Sequence, residues 1–451
     1  MNTAAEHGSS PVAPDQAPDY AALSAPHLSP ILGRYFNRSW DRGEGHELID
    51  SAGRRYLDFA SGIATTSLGH RHPAVTKAIH EQVDKLLHIC NALGYLEPVG
   101  RLAGMIADAM PDPLDTVFFA NSGSEAIEAS LKLARRVTGR PGLIAFSGGF
   151  HGRTYGSVSV TTSNINYRTG YEPMLPGVYI APYPNVYRDY GGDERAAVDG
   201  AMAGLRRIFA EQIAPSQVAA VLIEPVQGEG GYNPAPAAFL QELRAECDRY
   251  GILLIADEVQ CGFARTGKMW GFEHASIVPD VVCLAKAIAN GLPLSAIVTR
   301  RELQERWGVG AHGSTVGGNP VSCAAGVAVM QTIQEQNLVA NAAAQGARLM
   351  TGLRAIMAEE PRIGDVRGPG LMIGVEFVTD RETRQPDGAL AEAVLASSID
   401  NGLILLSAGS SHQVVRWMPP IDVTPAEIDH ALQIFWGAVQ AVPSHPEVAG
   451  P

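Results

Sequence analysis

The sequence has few cysteines and no long apolar segment. Its five cysteines, an odd number in 451 residues, include no CxxC pair. This usage is typical of reduced thiols in a cytoplasmic protein and argues against a disulfide scaffold. No run of about 18 uncharged apolar residues occurs, so the sequence predicts no membrane-spanning helix.

Positive charge is also scarce. The 34 Lys and Arg against 47 Asp and Glu give a net charge of −13. Nucleic-acid binding requires clustered basic side chains, so this balance argues against nucleic acid and anionic membrane surfaces as partners. The N-terminus lacks a basic segment followed by an apolar core, which excludes a secretory signal. Residues 1–28, rich in Ala, Pro and Ser, are predicted to form a disordered tail.

Short apolar segments alternate with amphipathic helices from residue 116 onward. The strand-like segments are residues 116–120, 142–146, 219–226, 252–257 and 280–286. This alternation predicts an α/β fold whose parallel sheet is covered by helices on both faces. After residue 330 the pattern changes, and we expect a large domain at 76–330. The smaller α+β domain would combine residues 29–75 with 331–451.

Polar residues follow the predicted strands. They occupy positions 121–125, 148–154, 224–231, 257–260 and 286. In parallel sheets ligands bind at the carboxyl ends of the strands. The sequence therefore predicts one large active site there.

Lys286 and Asp257 each end an apolar segment. A desolvated lysine loses its proton more easily and becomes a nucleophile toward carbonyls. Pyridoxal phosphate chemistry needs such a lysine and a carboxylate that keeps the pyridine nitrogen protonated, and this pair supplies both. The alternatives are a strand-end lysine that reaches solvent and an aspartate that caps a turn. Glu258 is interpreted as a solvated neighbour within the scaffold.

Two loops could complete such a site. In "NSGSE", Gly123 and Ser124 would offer backbone N–H groups at a helix N-terminus to an anion, although the same residues are common in an ordinary N-cap. In "GGFHGRT", Phe150 could stack on a flat ring and Arg153 could bind a carboxylate. The alternative is a turn with a surface arginine and an internally bonded His151.

Two motifs are interpreted as decoys. "GFARTGKM" nearly matches a phosphate-binding loop, but Met269 stands where the Ser or Thr that binds Mg²⁺ is required. "GHRHP" places His70 and His72 close together without a further cluster of metal ligands, and Pro73 suits the first turn of a helix. We therefore expect no metal.

A set of motifs in chain order carries a family resemblance. "NSGSEAIEASLKLAR", "FHGRTYG", "IEPVQGEGG", "LIADEVQCGFARTG", "LAKAIANGLPL" and "HGSTVGGNP" resemble class III aminotransferases, pyridoxal-phosphate enzymes of fold type I. Within the class the chain is most similar to the 4-aminobutyrate group. The resemblance implies a mostly parallel seven-stranded sheet between helices, a smaller α+β domain, and a homodimer or a dimer of dimers.

The resemblance also implies the residues that hold pyridoxal 5′-phosphate. Lys286 would bind the cofactor covalently and move a proton, while Asp257 would pair with the pyridinium nitrogen. The other predicted cofactor-binding residues are Gly123, Ser124, Phe150, His151, Val259, Gln260 and Thr315. Among them Thr315 resembles the threonine that reaches the phosphate of a partner subunit.

Four residues are predicted from the resemblance to bind substrate. Arg153 would bind the distal carboxylate of 4-aminobutyrate, and Arg416 the α-carboxylate of glutamate. Glu224 would pair with Arg416 when the ω-amino substrate is bound, because a buried arginine would otherwise remain unpaired. Ile63 resembles an apolar residue of the donor pocket.

The predicted reaction is transamination between an ω-amino acid similar to 4-aminobutyrate and 2-oxoglutarate, which gives the semialdehyde and glutamate. Asn91 and Ala92 depart from the aromatic and glutamine that are usual in the 4-aminobutyrate group. "CN" at this point and "FHGRT" also occur in acetylornithine aminotransferases. Transamination of acetylornithine or ornithine, or racemisation or epimerisation of an amino acid on the same scaffold, stay as alternatives.

Overall fold

The computed structural model describes residues 18–443 of the chain. Most of the predicted tail, residues 1–17, lies outside the described residues, as do residues 444–451 of the predicted C-terminal domain. Within the tail, Tyr20–Ser24 forms a short helix that Asp19 caps by accepting from two backbone N–H groups.

The strands occur in three larger sheets and one hairpin. They are β1 Trp40–Glu44, β2 Glu47–Asp50, β3 Arg55–Asp58, β4 Thr116–Ala120, β5 Gly142–Phe146, β6 Val178–Ala181, β7 Val218–Ile223, β8 Val226–Gln227, β9 Asn233–Pro234, β10 Leu253–Asp257, β11 Val281–Leu284, β12 Ser295–Thr299, β13 Ile363–Arg367, β14 Ile373–Asp380, β15 Gln385–Pro386, β16 Leu403–Ile404, β17 Leu406–Ala408 and β18 Val414–Trp417.

Helices cover these sheets. They are α1 Tyr20–Ser24, α2 Ser61–Ala64, α3 Pro73–Lys85, α4 Glu97–Asp108, α5 Gly123–Thr138, α6 Tyr155–Ser159, α7 Val186–Tyr190, α8 Glu194–Glu211, α9 Ala237–Tyr250, α10 Arg301–Trp307, α11 Pro320–Glu335, α12 Leu338–Glu359, α13 Gly388–Asp400 and α14 Pro425–Ala441. Within residues 18–443, none of them combines the length and apolar composition that a bilayer crossing requires.

The central sheet has seven strands in the order β4-β12-β11-β10-β7-β5-β6. Only β12 runs antiparallel to its neighbours within this sheet. Every residue of β5, β7, β10, β11 and β12 is buried, which explains their nearly unbroken apolar sequences. The predicted fold class is therefore confirmed.

Segments from both ends of the chain meet in a second sheet. The order is β1-β2-β3-β16, and β16 pairs parallel to β3 with Leu403 opposite Leu57. A third sheet, β13-β14-β18-β17, packs its Trp417 edge-on against Phe435 of α14 with ring centroids 5.1 Å apart. The domain boundaries at residues 75/76 and 330/331 stay a prediction.

The short segment α2 is a left-handed turn. Ser61, Gly62, Ile63 and Ala64 have φ values of 45°, 58°, 62° and 59°. Such a run is costly for L-residues, most of all for the β-branched Ile63. A contact from a distant part of the chain stabilises the turn: Ser61 Oγ donates to the backbone oxygen of Met418 at 2.7 Å. It therefore stores strain next to the carboxyl ends of the central strands.

Candidate active site

A cavity of about 340 Å³ opens at the carboxyl ends of the central strands. Its lining includes Ser124, Phe150, Asp257, Val259, Gln260 and Lys286. These residues come from four different loops, and the parallel strand order of the sheet brings the loops to one edge. The predicted convergence of polar residues is thus observed.

Lys286 enters the cavity from the end of β11. The strand stops at Leu284, and Lys286 begins a 3₁₀ turn with a φ of 46°. A lysine in this left-handed region is strained, a condition that concentrates at functional sites. Its side chain is half-buried beside Glu229, whose pKa its positive charge helps to lower. The amine is placed where a carbonyl carbon of a bound molecule could be attacked.

Asp257 is 3% exposed at the end of β10. His151 Nδ1 donates to Asp257 Oδ2 at 2.7 Å, and the backbone N–H of Val259 donates to Oδ1 at 3.0 Å. Burial alone would lower the pKa of His151, but the hydrogen bond and negative charge of Asp257 raise it overall. His151 lines the cavity and fixes the orientation of this carboxylate, and its predicted contact with the cofactor stays a prediction.

Glu258 is not the solvated neighbour that the sequence suggested. It is fully buried and accepts from the backbone N–H groups of Gly271 and Phe272, both at 2.8 Å. Burial raises the pKa of Glu258 to about 8, against the lowering effect of those two donors. Glu258 follows the last residue of β10, and its two backbone contacts show that it serves the scaffold.

The N-terminus of α5 forms one wall of the cavity. Ser122 is the N-cap and completes a capping box with Glu125, which leaves the next residues, Gly123 and Ser124, at the open end of the helix. A Cβ on Gly123 would lie 3.1 Å from Val259 Cγ1, and one on Gly152 would collide with Ser124 Oγ. The N-cap is observed, and the phosphate site at the same helix end stays a prediction that the helix dipole favours.

The chemistry of the remaining lining fits pyridoxal phosphate. Within residues 18–443, Gln260 Oε1 is buried without a hydrogen-bond partner, as an acceptor reserved for a ligand hydroxyl would be. Phe150 and Val259 supply apolar surface for a flat ring. Together with an amine, a carboxylate and a helix N-terminus, these groups match the substituents of the cofactor.

Arg416 pairs with a different glutamate from the one predicted. It is fully buried on β18, and its Nη1 donates to Glu229 Oε1 at 2.5 Å. The predicted partner Glu224 instead accepts from the backbone N–H groups of Phe150 and Gly228, both at 2.9 Å. The reason is geometric: β7 ends at Ile223, so Glu224 stays at the sheet, whereas the β8–β9 hairpin carries Glu229 outward to Arg416.

Burial and charged neighbours set the pKa values of Arg416, Glu229 and Glu224. Burial would lower the pKa of Arg416, but Glu229 raises it; conversely, Arg416 lowers the pKa of Glu229 against the effect of burial. Burial raises the pKa of Glu224 to about 7, against the lowering effect of nearby His151. Sequence analysis missed Glu229 because "IEPVQGEGG" contains two glutamates and nothing local distinguishes them.

Four predicted residues lie outside the lining of the cavity, and one of them is the buried Arg416 described above. Arg153 is exposed, with its guanidinium carbon 4.6 Å from the ring centroid of Tyr167. Ile63 lies in the left-handed turn, next to the lining residue Thr65. Thr315 is exposed on the loop before α11 and is absent from the cavity lining of its own chain. Their roles stay predictions.

Both decoy motifs have structural explanations. Arg265 of "GFARTGKM" is buried and donates to the backbone oxygens of Leu371 and Pro419, and a 3₁₀ turn follows instead of the required helix. In "GHRHP", His70 contacts Asp58 at 2.8 Å and Pro73 begins α3, as predicted. The structure groups no three metal-ligating side chains within residues 18–443.

The fold and the cavity define a pyridoxal-phosphate enzyme of fold type I. The model for the family "Aminotransferase class-III" matches residues 33–439. The chain belongs to this family, and its cofactor is pyridoxal 5′-phosphate.

Characterised relatives cover most of the chain. The 4-aminobutyrate aminotransferase GabT of Escherichia coli (strain K12) is 40% identical over 396 residues, 88% of this chain and 92% of that protein. The 5-aminovalerate aminotransferase DavT of Pseudomonas aeruginosa is 39% identical with the same coverage. The acetylornithine aminotransferase of Methanopyrus kandleri is 41% identical over 91% of this chain and 98% of that protein.

Solved structures agree with the fold. An aminotransferase from Bacillus anthracis has a TM-score of 0.88 at 28% identity and covers 94% of this chain and 98% of its own. An amine transaminase from an uncultivated Pseudomonas species, solved with pyridoxal phosphate bound, has a TM-score of 0.85 at 31% identity, covering 92% and 96%.

Proposed function

We propose that the enzyme transfers the amino group of an ω-amino acid such as 4-aminobutyrate to 2-oxoglutarate. The observation that carries this proposal is the buried pair of Arg416 and Glu229. An enzyme that alternates between a substrate with an α-carboxylate and one without it needs a removable countercharge for its buried arginine. Glu229 supplies that countercharge while the ω-amino acid is bound, and the α-carboxylate of glutamate replaces it.

The predicted residues in and around the cavity have distinct tasks in this proposal. When bound, the cofactor supplies an electron-accepting ring. Asp257, oriented by His151, keeps a proton on the ring nitrogen. Lys286 holds the cofactor and carries a proton between the amine-bearing carbon of the substrate and C4′ of the cofactor. Arg153 binds the distal carboxylate, and Ile63 contacts the aliphatic part of the donor.

A homodimer belongs to the proposal. Apolar side chains of residues 93–95 and 309–316 are exposed, with Tyr95 at 106% and Val309 at 110% of their reference areas. Asn91 Nδ2 donates to the backbone oxygen of Gly317 at 2.9 Å, which joins the two segments into one surface. An apolar surface of this kind is typical of a subunit interface. It adjoins Thr315, which would then reach the phosphate of the partner subunit.

Light scattering and cofactor binding test the dimer. The holoenzyme should have twice the 47.8 kDa mass of the chain, and Thr315→Ala should lower its affinity for pyridoxal phosphate. A monomeric holoenzyme with full cofactor affinity would contradict this assembly. We also propose that the enzyme is located in the cytoplasm, because its five cysteines are unpaired.

A panel of amino donors tests the reaction. Each donor is mixed with the holoenzyme without a keto acid, and the decline of the cofactor absorption band is followed as a half-reaction. We expect 4-aminobutyrate or 5-aminovalerate to convert the cofactor fastest, and 2-oxoglutarate to restore the band. No spectral change at saturating ω-amino acid would overturn the proposal.

Acetylornithine is the second candidate donor. Asn91 is fixed by a hydrogen bond to the backbone oxygen of Gly317, and the "CN" sequence that it belongs to resembles acetylornithine aminotransferases. The same panel decides between the two, since a kcat/KM for acetylornithine at least tenfold above that for 4-aminobutyrate would favour this candidate.

A further inference from the structure

The ring of Tyr167 contacts Phe150 and Arg153, two residues of the "FHGRT" loop. The guanidinium carbon of Arg153 lies 4.6 Å from the ring centroid of Tyr167 and 6.0 Å from that of Phe150. The rings of Tyr167 and Phe150 are 5.5 Å apart and meet edge to face at 69°. Phe150 itself lines the cavity. Tyr167 therefore connects the ring-binding wall of the site to the exposed arginine beside it.

The segment that carries Tyr167 is firmly held. The neighbouring Arg168 donates from Nη1 to the backbone oxygens of Val158, Ser159 and Thr161, at 3.1, 3.1 and 2.8 Å. These oxygens lie at the C-terminal end of α6, where helical donors are lacking. Arg168 thereby fixes the 3₁₀ turn Ile165–Tyr167 against α6.

The opposite end of α6 is fixed as well. Glu128 of α5 accepts from the backbone N–H groups of Gly156 and Ser157 at 2.8 and 3.2 Å. Arg153 and Tyr167 are thus attached to the two ends of one anchored helix. The stacking distance between them is set by this framework and not by a mobile loop.

We propose that Tyr167 is a positioning residue that sets the affinity for the distal carboxylate of the donor. A free arginine side chain loses rotamer entropy when it binds a carboxylate. The ring face of Tyr167 holds the guanidinium by a cation–π contact and leaves the N–H edge open for two parallel hydrogen bonds. The inference rests on the proposed function, because it concerns the arginine that would bind the ω-amino acid.

Three holoenzyme variants test the inference: Tyr167→Leu, Tyr167→Phe and Tyr171→Leu. Tyr167→Leu should raise both the KM for 4-aminobutyrate and the inhibition constant of butanoate about three- to fivefold, with little change in kcat. Tyr167→Phe retains the ring and should recover most of the affinity. Tyr171→Leu removes a nearby exposed ring that takes no part in the cation–π contacts of Arg153 within residues 18–443, and it serves as the matched control.

A double-mutant cycle separates positioning from a structural role. In an Arg153→Ala background, Tyr167→Leu should cause no further increase in KM, since the residue it positions is absent. If Tyr167→Leu raised the KM by the same factor with and without Arg153, the inference would be overturned. An equal increase in the KM for n-butylamine, which has no carboxylate, would overturn it too.

The cycle also distinguishes this inference from the proposed function. If Arg153→Ala leaves the KM for 4-aminobutyrate unchanged, the carboxylate role of Arg153 in the proposed function fails. If Arg153→Ala raises that KM but Tyr167→Leu behaves as the wild type, the positioning role alone fails.

Discussion

His151 and Asp257, 106 positions apart in the sequence, share a 2.7 Å hydrogen bond in the wall of the cavity. The bond fixes the carboxylate while its second oxygen is held by the backbone of Val259. A carboxylate held at both oxygens has little freedom to turn away from a bound ring nitrogen. The pair therefore explains how a buried carboxylate stays directed toward one side of the cavity.

Asp257→Asn should leave the cofactor bound but lower kcat by roughly a hundredfold or more, because an amide cannot keep the ring nitrogen protonated. Absorption spectra report cofactor occupancy, and steady-state kinetics report turnover. Glu258→Gln is the matched control. Glutamine removes one of the two oxygens of Glu258 that accept backbone N–H groups, so this variant measures the cost of altering a buried carboxylate of the scaffold. Equal losses in both variants would contradict the role of Asp257.

Glu229→Gln should impair one half-reaction selectively. With an ω-amino donor bound, Arg416 would be a buried charge without a countercharge, so kcat/KM for 4-aminobutyrate should fall roughly tenfold or more. The value for glutamate should fall much less, because its α-carboxylate restores the pair. Glu224→Gln is compared under the same conditions. A selective loss in Glu224→Gln, and none in Glu229→Gln, would restore the pairing first expected from the sequence.

Ile63→Gly should relieve backbone strain, which partly offsets the lost apolar packing of Ile63, and should weaken donor binding. Glycine adopts a φ of 62° without the strain of a β-branched side chain, which favours the variant by about 1 kcal/mol. The lost side chain should raise the KM for 4-aminobutyrate. Thermal denaturation and kinetics of the holoenzyme measure the two effects. Gly62→Ala is the control and should destabilise, since its Cβ would lie 2.6 Å from Thr65 Oγ1.

His46 should make stability depend on pH. Its two ring nitrogens contact Glu427 at 2.8 Å and Asp422 at 3.0 Å. Burial would lower the pKa of His46, but the two carboxylates raise it from 6.5 to about 9. A raised pKa means that this contribution is complete below pH 6.5 and is lost as pH rises through 9.

The opposite limit comes from Glu427. Burial would raise the pKa of Glu427, but His46 and the N-terminus of α14 lower it from 4.5 to about 2. Its contribution is complete above pH 4.5 and is lost as pH falls through 2. The measurable window is that of His46. Denaturation midpoints should decline between pH 6.5 and 9 in the wild type, and they should decline less in His46→Gln. Parallel profiles would contradict the prediction.

Much of the central sheet could be predicted because its strands are buried on both faces. Thr116–Ala120 and Gly142–Phe146 match their predicted bounds residue for residue. The antiparallel strand Ser295–Thr299 was not recognised, since two of its five residues are polar. Burial of Ser295 and Thr299 depends on neighbours distant in the sequence.

The site was predictable as a set of residue types but not as a set of pairs. Lys286 and Asp257 stand at strand ends, which a linear pattern reveals. The partners of Asp257 and Arg416 depend on how loops cross the sheet edge, over separations of 106 and 187 residues. The two glutamates of "IEPVQGEGG" differ only in the turn between them, and that turn is set by tertiary packing.

The parallel pairing of β3 with β16 has a consequence for how the protein is made. Leu57 meets Leu403 across this pairing, so one edge of β3 stays open until the ribosome has produced residue 404. During translation that edge presents unpaired backbone groups to other nascent chains. A chaperone that shields residues 55–58 would raise the yield of active enzyme, and the left-handed turn that follows this strand would be among the last parts of the site to lock.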